Sequence, residues 1–414
     1  MSPGSIYQPQ NTMALWWLGR PKSPVKIGLI SLVPSLRSVG LRYDKNWLAL
    51  GFPLSEDLPL KDVDFLPVAK DLAVGAVDDA RPDRWGERVI RMLDRPERTS
   101  LMEFLYFAGD DRFGALGVSL SEDAYHPHRT GPLPRLSEVE TIQDTIDRLL
   151  ASEKIDDLDD RLARLISPGA SMGGARPKAL IDWNHAEWVL KFRESGEYTD
   201  TPLIEHATMT LARQCGIQVA ETHALKLRRG HAVAVRRFDR TQDSRIHSLS
   251  AAVVLRACGE DPAYSALSLW LRRKGSGVDG NATLDRHELF RRMVFNILID
   301  NNDDHEKNHV VQMSDDGSFR LSPAFDVLPT GQALGFQLMR VGSHGTESTL
   351  MNAVSEHAHF GLTRDQAAKE IKAIVRGIEG WIPYFRSCGV TESDLDSLAA
   401  QIDRPFLRDQ RRDW

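Results

Sequence analysis

The first third of the chain carries short stretches in which hydrophobic and polar residues alternate, with turn residues between them. Such alternation is typical of strands that bury one face. The stretches are Val25–Ile30, Ser38–Tyr43 and Trp47–Leu50. Farther on, Pro82–Glu87 favours the start of a helix, and Thr99–Phe107 continues a helical pattern. We therefore expect a β-rich N-terminal region that ends in helices.

The middle of the chain alternates strand and helix patterns after a linker rich in Pro and His, Tyr125–Pro134. A polar helix is expected first, and then the order strand, turn, strand, helix, strand, strand. The predicted elements are the helix Glu138–Ile155, the strands Ala179–Asp182 and Glu187–Phe192, the helix Thr201–Cys215, and the strands Glu221–Leu227 and His231–Phe238.

The last part of the chain has hydrophobic residues at helical spacing, in Leu249–Leu255, Leu289–Ile299, Gln366–Ile378 and Asp394–Ile402. An irregular insertion, Asn301–Pro329, interrupts these helices and contains two short strands, Val310–Met313 and Ser318–Leu321. A chain of 414 residues has room for two or three domains. We expect an N-terminal subdomain over residues 1–125, a β lobe over 126–240 and a helical lobe over 241–414.

Composition excludes several classes of protein. A hydrophobic content of 42% and a charged content of 27% indicate a globular chain, and a net charge of −6 disfavours a globally basic nucleic-acid binder. Three scattered cysteines without a CxxC pair argue against a disulfide scaffold and against a cysteine zinc site. Neither a signal peptide nor a membrane-spanning stretch is visible, so we expect a soluble, cytoplasmic protein without membrane contact.

Nine consecutive polar or charged residues form the segment Asn301–His309, directly after an apolar helix end. Such a run is most often a solvated loop. A metal site built from Asp303, Asp304, His305 and His309 is a second interpretation.

Phosphoryl transfer is a third interpretation of this segment, because that reaction needs a carboxylate near the attacking hydroxyl and oxygen ligands for Mg²⁺. Protein kinases place an Asp and an Asn five residues apart in one loop for these roles, and Asp303 and Asn308 have that spacing. Phe325-Asp326 supplies the second carboxylate soon afterwards.

A glycine-rich turn, Ser171–Lys178, precedes the strand Ala179–Asp182. It matches neither the Walker A pattern nor the Gly-x-Gly-x-x-Gly of typical kinases. Two interpretations of this turn are open. It is either a plain β-turn, which is the commonest use of Gly-Gly, or a loop that covers phosphates with its backbone N–H groups and with Lys178 or Arg176.

A lysine, Lys191, lies inside the apolar strand Glu187–Phe192. It either faces water from an edge strand or binds ATP phosphates with a helix glutamate to hold it. Glu205 is at the right place in the next helix, although an ordinary surface charge is the simpler interpretation. After the last strand of this region, Arg236-Arg237-Phe238 is either a basic strand end or an adenine-binding hinge.

Taken in order, these motifs resemble the HipA family of serine/threonine kinases, the toxins of bacterial type II toxin–antitoxin pairs. The resemblance rests on S-x-G-G-A-R-P-K, the strand with Lys191, R-R-F-D-R, N-N-D-D-H-E-K-N and L-S-P-A-F-D-V, and it covers nearly the whole chain. It implies an α+β, bilobal protein-kinase-like fold, with a β-rich N-terminal subdomain and an all-α C-terminal lobe.

The resemblance also implies roles for individual residues. Asp303 would be the catalytic base, Asn308 and Asp326 would hold Mg²⁺, and Glu205 would support Lys191. Ser171 would be autophosphorylated, although serine is also an ordinary turn residue. The residues expected to bind ATP are Met172, Gly173, Gly174, Ala175, Arg176, Pro177, Lys178, Lys191, Arg236, Arg237, Phe238, His305, Lys307 and Asn308.

The implied activity is ATP-dependent phosphorylation of a protein, an aminoacyl-tRNA synthetase being the expected class, with growth arrest as the result. The implied partner is a HipB-like helix-turn-helix antitoxin, and contact with DNA would be indirect or weak through it. Two alternatives stay open. One is a kinase-shaped corepressor that needs no catalysis, and the other is a small-molecule kinase.

Overall fold

The computed structural model describes residues 7–128, 131–151, 166, 174, 176–194 and 196–414. The chain forms two compact units. The first comprises residues 1–190 and 239–249, and the second comprises residues 191–238 and 250–414. None of the helices in the described residues is both long and apolar enough to cross a bilayer.

The first unit is built on a four-stranded antiparallel sheet in the order Ser38–Tyr43, Val25–Val33, Thr12–Trp17, Leu116–Ser119. This confirms the two strands expected from alternation at residues 25–30 and 38–43. Its helices are Lys45–Leu50, Arg84–Leu93, Leu101–Phe107 and Val139–Ala151.

The strand expected over Trp47–Leu50 is wrong, because these residues belong to the helix Lys45–Leu50. The Asp44 side chain caps this helix by accepting a hydrogen bond from the Asn46 N–H. Four alternating residues are too few to distinguish a strand from a helix, and the cap decides between them.

The first segment of this unit, residues 1–190, ends in a β-hairpin. Its strands are Lys178–Trp183 and Ala186–Lys191, and the last residue of the second strand begins the second unit. Asn184 and His185 form the two-residue turn, and both have positive φ, 52° and 60°. Two left-handed residues match the twist of a tight hairpin, which explains the close pairing.

The second unit is mostly helical and includes two antiparallel strand pairs. One pair is Thr222–Lys226 with His231–Arg236, and the other is Val310–Met313 with Phe319–Leu321. The helices are Thr201–Gln214, Ala251–Ala257, Tyr264–Lys274, Asn281–Leu298, Leu350–Ser355, Arg364–Glu379, Trp381–Ser387, Glu392–Ile402 and Pro405–Arg412.

The core of the second unit lies around the long helix Asn281–Leu298, whose last turns are almost entirely buried. The helix expected over Leu249–Leu255 begins two residues later than predicted. Ser250 ends a short strand and caps the helix by accepting from the Val253 N–H. The long central helix delivers the chain to Asn301–His309, where the candidate chemistry is concentrated.

Candidate active site

Lys191 has two carboxylate partners in the site. Its side chain is almost fully buried, and Nζ donates to Glu205 Oε1 at 2.6 Å and to Asp326 Oδ1 at 2.5 Å. Burial lowers the pKa of Lys191, but the charges of Asp326 and Glu205 outweigh it and hold that pKa above its ordinary value. The interpretations of Lys191 as a water-facing residue and of Glu205 as a surface charge are therefore wrong.

Glu205 reaches the lysine from the helix Thr201–Gln214, where it is 1% exposed. A buried carboxylate and a buried ammonium are each costly alone, and each offsets the desolvation of the other when they are paired. The lysine and this glutamate, 14 residues apart, thus form one buried unit to which Asp326 adds a second negative charge.

Asp326 has a left-handed backbone, with φ +57°. Non-glycine residues seldom adopt this conformation, and they hold it where the surroundings impose it. The segment before it is fixed by Ala324, which exchanges backbone hydrogen bonds with Gln218 and Ala220. The ring of Phe325 contacts that of Phe238, with centroids 5.3 Å apart. The carboxylate is therefore directed at Lys191 by a rigid stretch of backbone.

The loop that follows the helix Asn281–Leu298 presents Asp303 to solvent and buries Asn308. A short helical turn, Glu306–Asn308, folds the loop back on itself. The Asn308 Nδ2 lies 3.5 Å from the backbone oxygen of Asp303. Within the described residues, Asn308 Oδ1 is a buried acceptor without a hydrogen-bond partner. The loop thus carries an accessible carboxylate and, five residues later, a buried amide oxygen of the kind that suits a hard cation.

Asp304 points the other way, into the protein. Its carboxylate accepts hydrogen bonds from the Tyr264 hydroxyl and from His309 Nε2, the latter at 2.9 Å. Burial raises the pKa of Asp304, but His309 and the two hydrogen bonds outweigh it and keep that pKa below its usual value. Burial, followed by the charge of Asp304, raises the pKa of Tyr264 well above normal.

This arrangement argues against the four-residue metal site considered for the loop. Asp304 and His309 bind each other, while Asp303 faces solvent. Across the part of the chain that the structure describes, no group of three or more His, Cys, Asp or Glu side chains is placed to hold a metal ion. A site made from Asn308 and Asp326 is a different donor set and is compatible with this finding.

The expected hinge residues have distinct environments. Arg236 is exposed and pairs with Glu221 at 3.0 Å, whereas Arg237 is buried. The backbone oxygen of Phe238 accepts from Gln312 Nε2 at 2.9 Å. Of the other residues expected to bind ATP, His305 is half-buried and Lys307 is exposed. Their roles at the nucleotide stay predictions.

The glycine-rich turn is described only in part. Ser171, Met172, Gly173 and Ala175 lie outside the described residues. Gly174 and residues 176–178 belong to the first unit.

Lys178 is 1% exposed in this unit, and its Nζ binds the Asp83 carboxylate and lies 3.3 Å from the Gly174 oxygen. A phosphate-binding role for Lys178, which stays a prediction, would require it to leave Asp83.

Two side chains that the sequence did not single out help to build the site. Tyr264 supports Asp304 from a helix 40 residues upstream, and Asn302 binds the backbone of Leu334 and Phe336. No local pattern distinguishes Tyr264 from other apolar positions of its helix. For Asn302, the available signal in the sequence is that it directly precedes Asp303.

Comparison with protein families gives two matches that follow the chain in order. The HipA N-terminal domain matches residues 25–119, and the HipA-like C-terminal domain matches residues 170–382. The second match spans more than half of the chain and contains Lys191, Glu205, Asp303, Asn308 and Asp326.

The chain belongs to the HipA family. It is similar to the serine/threonine-protein kinase toxin HipA of Shewanella oneidensis, with 22% identity over 338 residues, 73% of this chain and 72% of the relative. It is also 33% identical to the putative kinase Y4dM of Sinorhizobium fredii over 155 residues, which span 34% of this chain and 37% of that protein.

A solved structure shares the fold of this HipA-family chain. It is the Shewanella oneidensis HipA in complex with HipB and operator DNA, with a TM-score of 0.66, 18% identity and coverage of 97% of both chains. The expected α+β, HipA-like kinase fold is thereby confirmed. The division into residues 1–125, 126–240 and 241–414 stays a prediction.

Proposed function

We propose that this HipA-family chain is an ATP- and Mg²⁺-dependent serine/threonine protein kinase and the toxin of a type II toxin–antitoxin pair. One observation carries the proposal. A buried lysine is paired with a helix glutamate and with the aspartate of a P-x-F-D motif, while the loop Asn301–His309 supplies an exposed aspartate and a buried asparagine. These are the parts that phosphoryl transfer to a hydroxyl requires.

Two donor atoms of the site are of the kind that fit a metal ion. Asn308 offers a buried amide oxygen that has no hydrogen-bond partner among the described residues, and Asp326 offers a carboxylate. Oxygen donors of this kind suit Mg²⁺, which neutralises charge on the transferred phosphoryl group when it is bound. Asn308 and Asp326 would hold it.

Each protein group has one task in the proposed reaction. Asp303 accepts the proton of the attacking serine or threonine hydroxyl, which its exposure allows. Lys191 keeps its charge because two carboxylates raise its pKa, and it binds the α and β phosphates of ATP. Glu205 holds the lysine in place, so that the lysine can turn from Asp326 to phosphate without losing every partner.

The proposed partner is a HipB-like antitoxin, and contact with DNA would come through it. The support is membership of the family and the solved relative, in which HipA is in complex with HipB and operator DNA. The proposed substrate class, an aminoacyl-tRNA synthetase, rests on the family resemblance, as does autophosphorylation of Ser171.

Radiolabelling tests the catalytic proposal. Wild-type protein incubated with Mg²⁺ and γ-labelled ATP should incorporate phosphate, and tandem mass spectrometry should locate it on Ser171. Asp303→Asn and Asp326→Asn should abolish incorporation, while the exposed Asp315→Asn, the matched control, should leave it unchanged. Equal labelling of Asp303→Asn and wild type would refute the assignment of the base.

Expression in bacteria separates the kinase from a non-catalytic corepressor. Wild-type expression should arrest growth, and Asp303→Asn should relieve the arrest. Phosphoproteomics of the arrested cells, compared with cells expressing Asp326→Asn, should then identify the phosphorylated protein. Arrest that persists in both variants would favour a function without catalysis.

A further inference from the structure

Arg286 is a buried arginine of the second unit that forms no ion pair with a carboxylate. It lies in the second turn of the helix Asn281–Leu298 and is 8% exposed. Its Nε donates to Ser268 Oγ at 3.3 Å, and its Nη2 donates to the His359 oxygen at 2.8 Å. Among the described residues, its Nη1 has no hydrogen-bond partner. A buried charge without a countercharge is costly, so this guanidinium lacks an anion.

A second cation, Arg272, lies beside Arg286. Ser268 and Arg272 are four residues apart in the helix Tyr264–Lys274 and share one face of it, and helical side chains lean toward the N-terminus of their helix. Arg272 therefore leans toward the turn of Ser268, to which Arg286 is bonded. Burial lowers the pKa of Arg286, and the charge of Arg272 lowers it further. Arg272 is exposed, and it forms no ion pair within the described part of the chain.

The acidic side chains of this region are engaged by other arginines. The pairs are Asp285 with Arg320 at 2.8 Å, Glu288 with Arg292 at 3.0 Å, and Glu356 with Arg340 at 2.6 Å. Glu356 also lies 3.5 Å from Nδ1 of His359. The two neighbouring cations Arg272 and Arg286 thus have no carboxylate of their own among the residues that the structure describes.

The guanidinium of Arg286 is held in one position by the short turn His357–Phe360 and by Gly361. The His359 oxygen accepts from Ser268 Oγ at 2.9 Å as well as from Arg286. Gly361 has a left-handed backbone, with φ +79°, and a Cβ added there would lie 3.0 Å from Nη1 of Arg286. Glycine therefore keeps a side chain from crowding the guanidinium. A donor that is fixed before the ligand arrives lowers the entropy cost of binding.

The chemistry of these groups fits a compact oxyanion with a double charge. Guanidinium groups present N–H donors in a planar fork that matches phosphate oxygens. Two of them match the charge of a phosphomonoester, about −1.5 to −2 at pH 7, better than that of a single carboxylate. Because Arg286 is recessed and Arg272 is exposed, a small anion reaches both more easily than the phosphate backbone of a duplex does.

This place is separate from the proposed active site. Asp303 follows the C-terminal end of the helix Asn281–Leu298, whereas Arg286 lies near its N-terminal end. The 12 positions from Arg286 to Leu298 span about 18 Å at about 1.5 Å per residue. An anion bound to Arg286 is therefore not the phosphoryl group that the proposed reaction transfers.

We propose that Arg272 and Arg286 bind inorganic phosphate or the phosphate group of a small phosphomonoester, at a site separate from Asp303 and Lys191. Arg286 supplies the fixed donor Nη1, and the exposed Arg272 closes on the anion. The bound anion replaces the repulsion between two cations by two attractions, so its binding stabilises the folded protein. The inference does not depend on the proposed kinase function.

Isothermal titration calorimetry with inorganic phosphate tests this. The full chain is kept with saturating Mg²⁺ and a non-hydrolysable ATP analogue, which occupies the proposed nucleotide site, and chloride holds the ionic strength constant. Wild type should bind phosphate, and Arg272→Gln should weaken its affinity at least about tenfold, which equals about 1.4 kcal/mol. Arg273→Gln is the matched control. It removes the same charge from the next exposed residue, which contacts Cys258 instead, and should keep the wild-type affinity.

Reversal of the charge separates binding from folding. Arg272→Glu supplies Arg286 with a carboxylate, so it should abolish phosphate binding and raise the melting temperature measured without phosphate. Phosphate should raise the melting temperature of wild type and of Arg273→Glu, but not that of Arg272→Glu. A lower melting temperature of Arg272→Glu without phosphate would contradict the uncompensated pair, because a variant that only damages the fold melts earlier.

Further titrations identify the source of the phosphate group. Binding of inorganic phosphate or of glycerol 3-phosphate that is lost in Arg272→Gln supports the proposal and shows which of the two is preferred. Absence of binding of both by wild type, or equal affinities in wild type and Arg272→Gln, would refute it. Binding that requires Arg272 but occurs only with a phosphoserine peptide, or only with a short DNA duplex, would overturn the small ligand and assign the two arginines to a macromolecule.

Discussion

Lys191 Nζ lies 2.5 Å from the carboxylate of Asp326, although 135 residues separate the two in sequence. Glu205 is bound to the same nitrogen at 2.6 Å. One buried cation therefore faces two carboxylates, of which Asp326 is the more exposed, at 19% of its side chain against 2% for Glu205. If the lysine turns to phosphate, Asp326 is the partner that becomes available to a metal ion, and Glu205 is the one that stays.

Replacement of Lys191 should destabilise the protein strongly. Lys191→Met leaves the buried Glu205 and the half-buried Asp326 without their cation, and breaking a buried pair in this way costs about 3–5 kcal/mol. Urea unfolding followed by tryptophan fluorescence measures the loss. Lys307→Met, at an exposed residue of the loop Asn301–His309, serves as the control. A loss below about 1 kcal/mol for Lys191→Met would contradict the buried pairing.

Asp304 follows Asp303 directly, and loss of its hydrogen bonds should slow the reaction more than it weakens ATP binding. Asp304→Ala breaks the bonds to Tyr264 and His309, and small displacements of a reacting group cost up to about 100-fold in rate. We expect kcat to fall at least about tenfold, with the KM for ATP nearly constant.

Tyr264→Phe, which removes a single hydroxyl, should have a smaller effect than Asp304→Ala. The double variant should cost less than the sum of the two single changes, because both act through one hydrogen bond. Steady-state kinetics of all three variants provides the measurement. Additive losses would show that the two side chains act independently.

Asn308 should determine the affinity for Mg²⁺. Asn308→Ala removes the buried amide oxygen, so the Mg²⁺ concentration for half-maximal activity should rise at least about tenfold. This corresponds to a loss of about 1.4 kcal/mol in the free energy of Mg²⁺ binding. Titration of activity with Mg²⁺ at saturating ATP measures this. Glu306→Gln in the same short turn is the control. An unchanged Mg²⁺ requirement would exclude Asn308 as a ligand.

The protein should lose stability between about pH 6.5 and pH 4. Burial lowers the pKa of His247 to about 4, although its hydrogen bond to the Leu54 oxygen opposes the shift, and burial likewise lowers the pKa of His206 to about 4. As the pH falls, the unfolded chain protonates these histidines at a higher pH than the folded chain does. The free energy of unfolding is therefore unaffected by them above about pH 6.5 and decreases as the pH falls toward about 4.

The pH effect can be assigned to His247 by substitution. Each unit of pKa difference corresponds to about 1.4 kcal/mol, so His247→Gln should reduce the slope of unfolding free energy against pH. The exposed His344→Gln provides the control, which should leave that slope unchanged. Equal slopes in His247→Gln and wild type would show that His247 titrates normally in the folded protein.

Local patterns predicted most elements of the fold correctly. The strands Ser38–Tyr43 and Val310–Met313 have the bounds expected, and the helix Thr201–Gln214 ends one residue before its predicted limit. Alternation and helical periodicity record which faces are buried, so they are visible in the sequence. The segment Trp47–Leu50 is too short for its period to identify the element, and the Asp44 cap outside it determines that it is a helix.

The sequence by itself determined the family, the order of the elements and the spacing of Asp303, Asn308 and Asp326, because these depend on local pattern and motif. Only the tertiary structure decided that Lys191 and Glu205 are buried and joined to Asp326. It alone showed that Asn302 binds the backbone of Leu334 and Phe336 and that Asp304 binds Tyr264 and His309. Burial and pairing between distant residues are properties of the packed chain, since a residue's neighbours in space are fixed only when the chain folds.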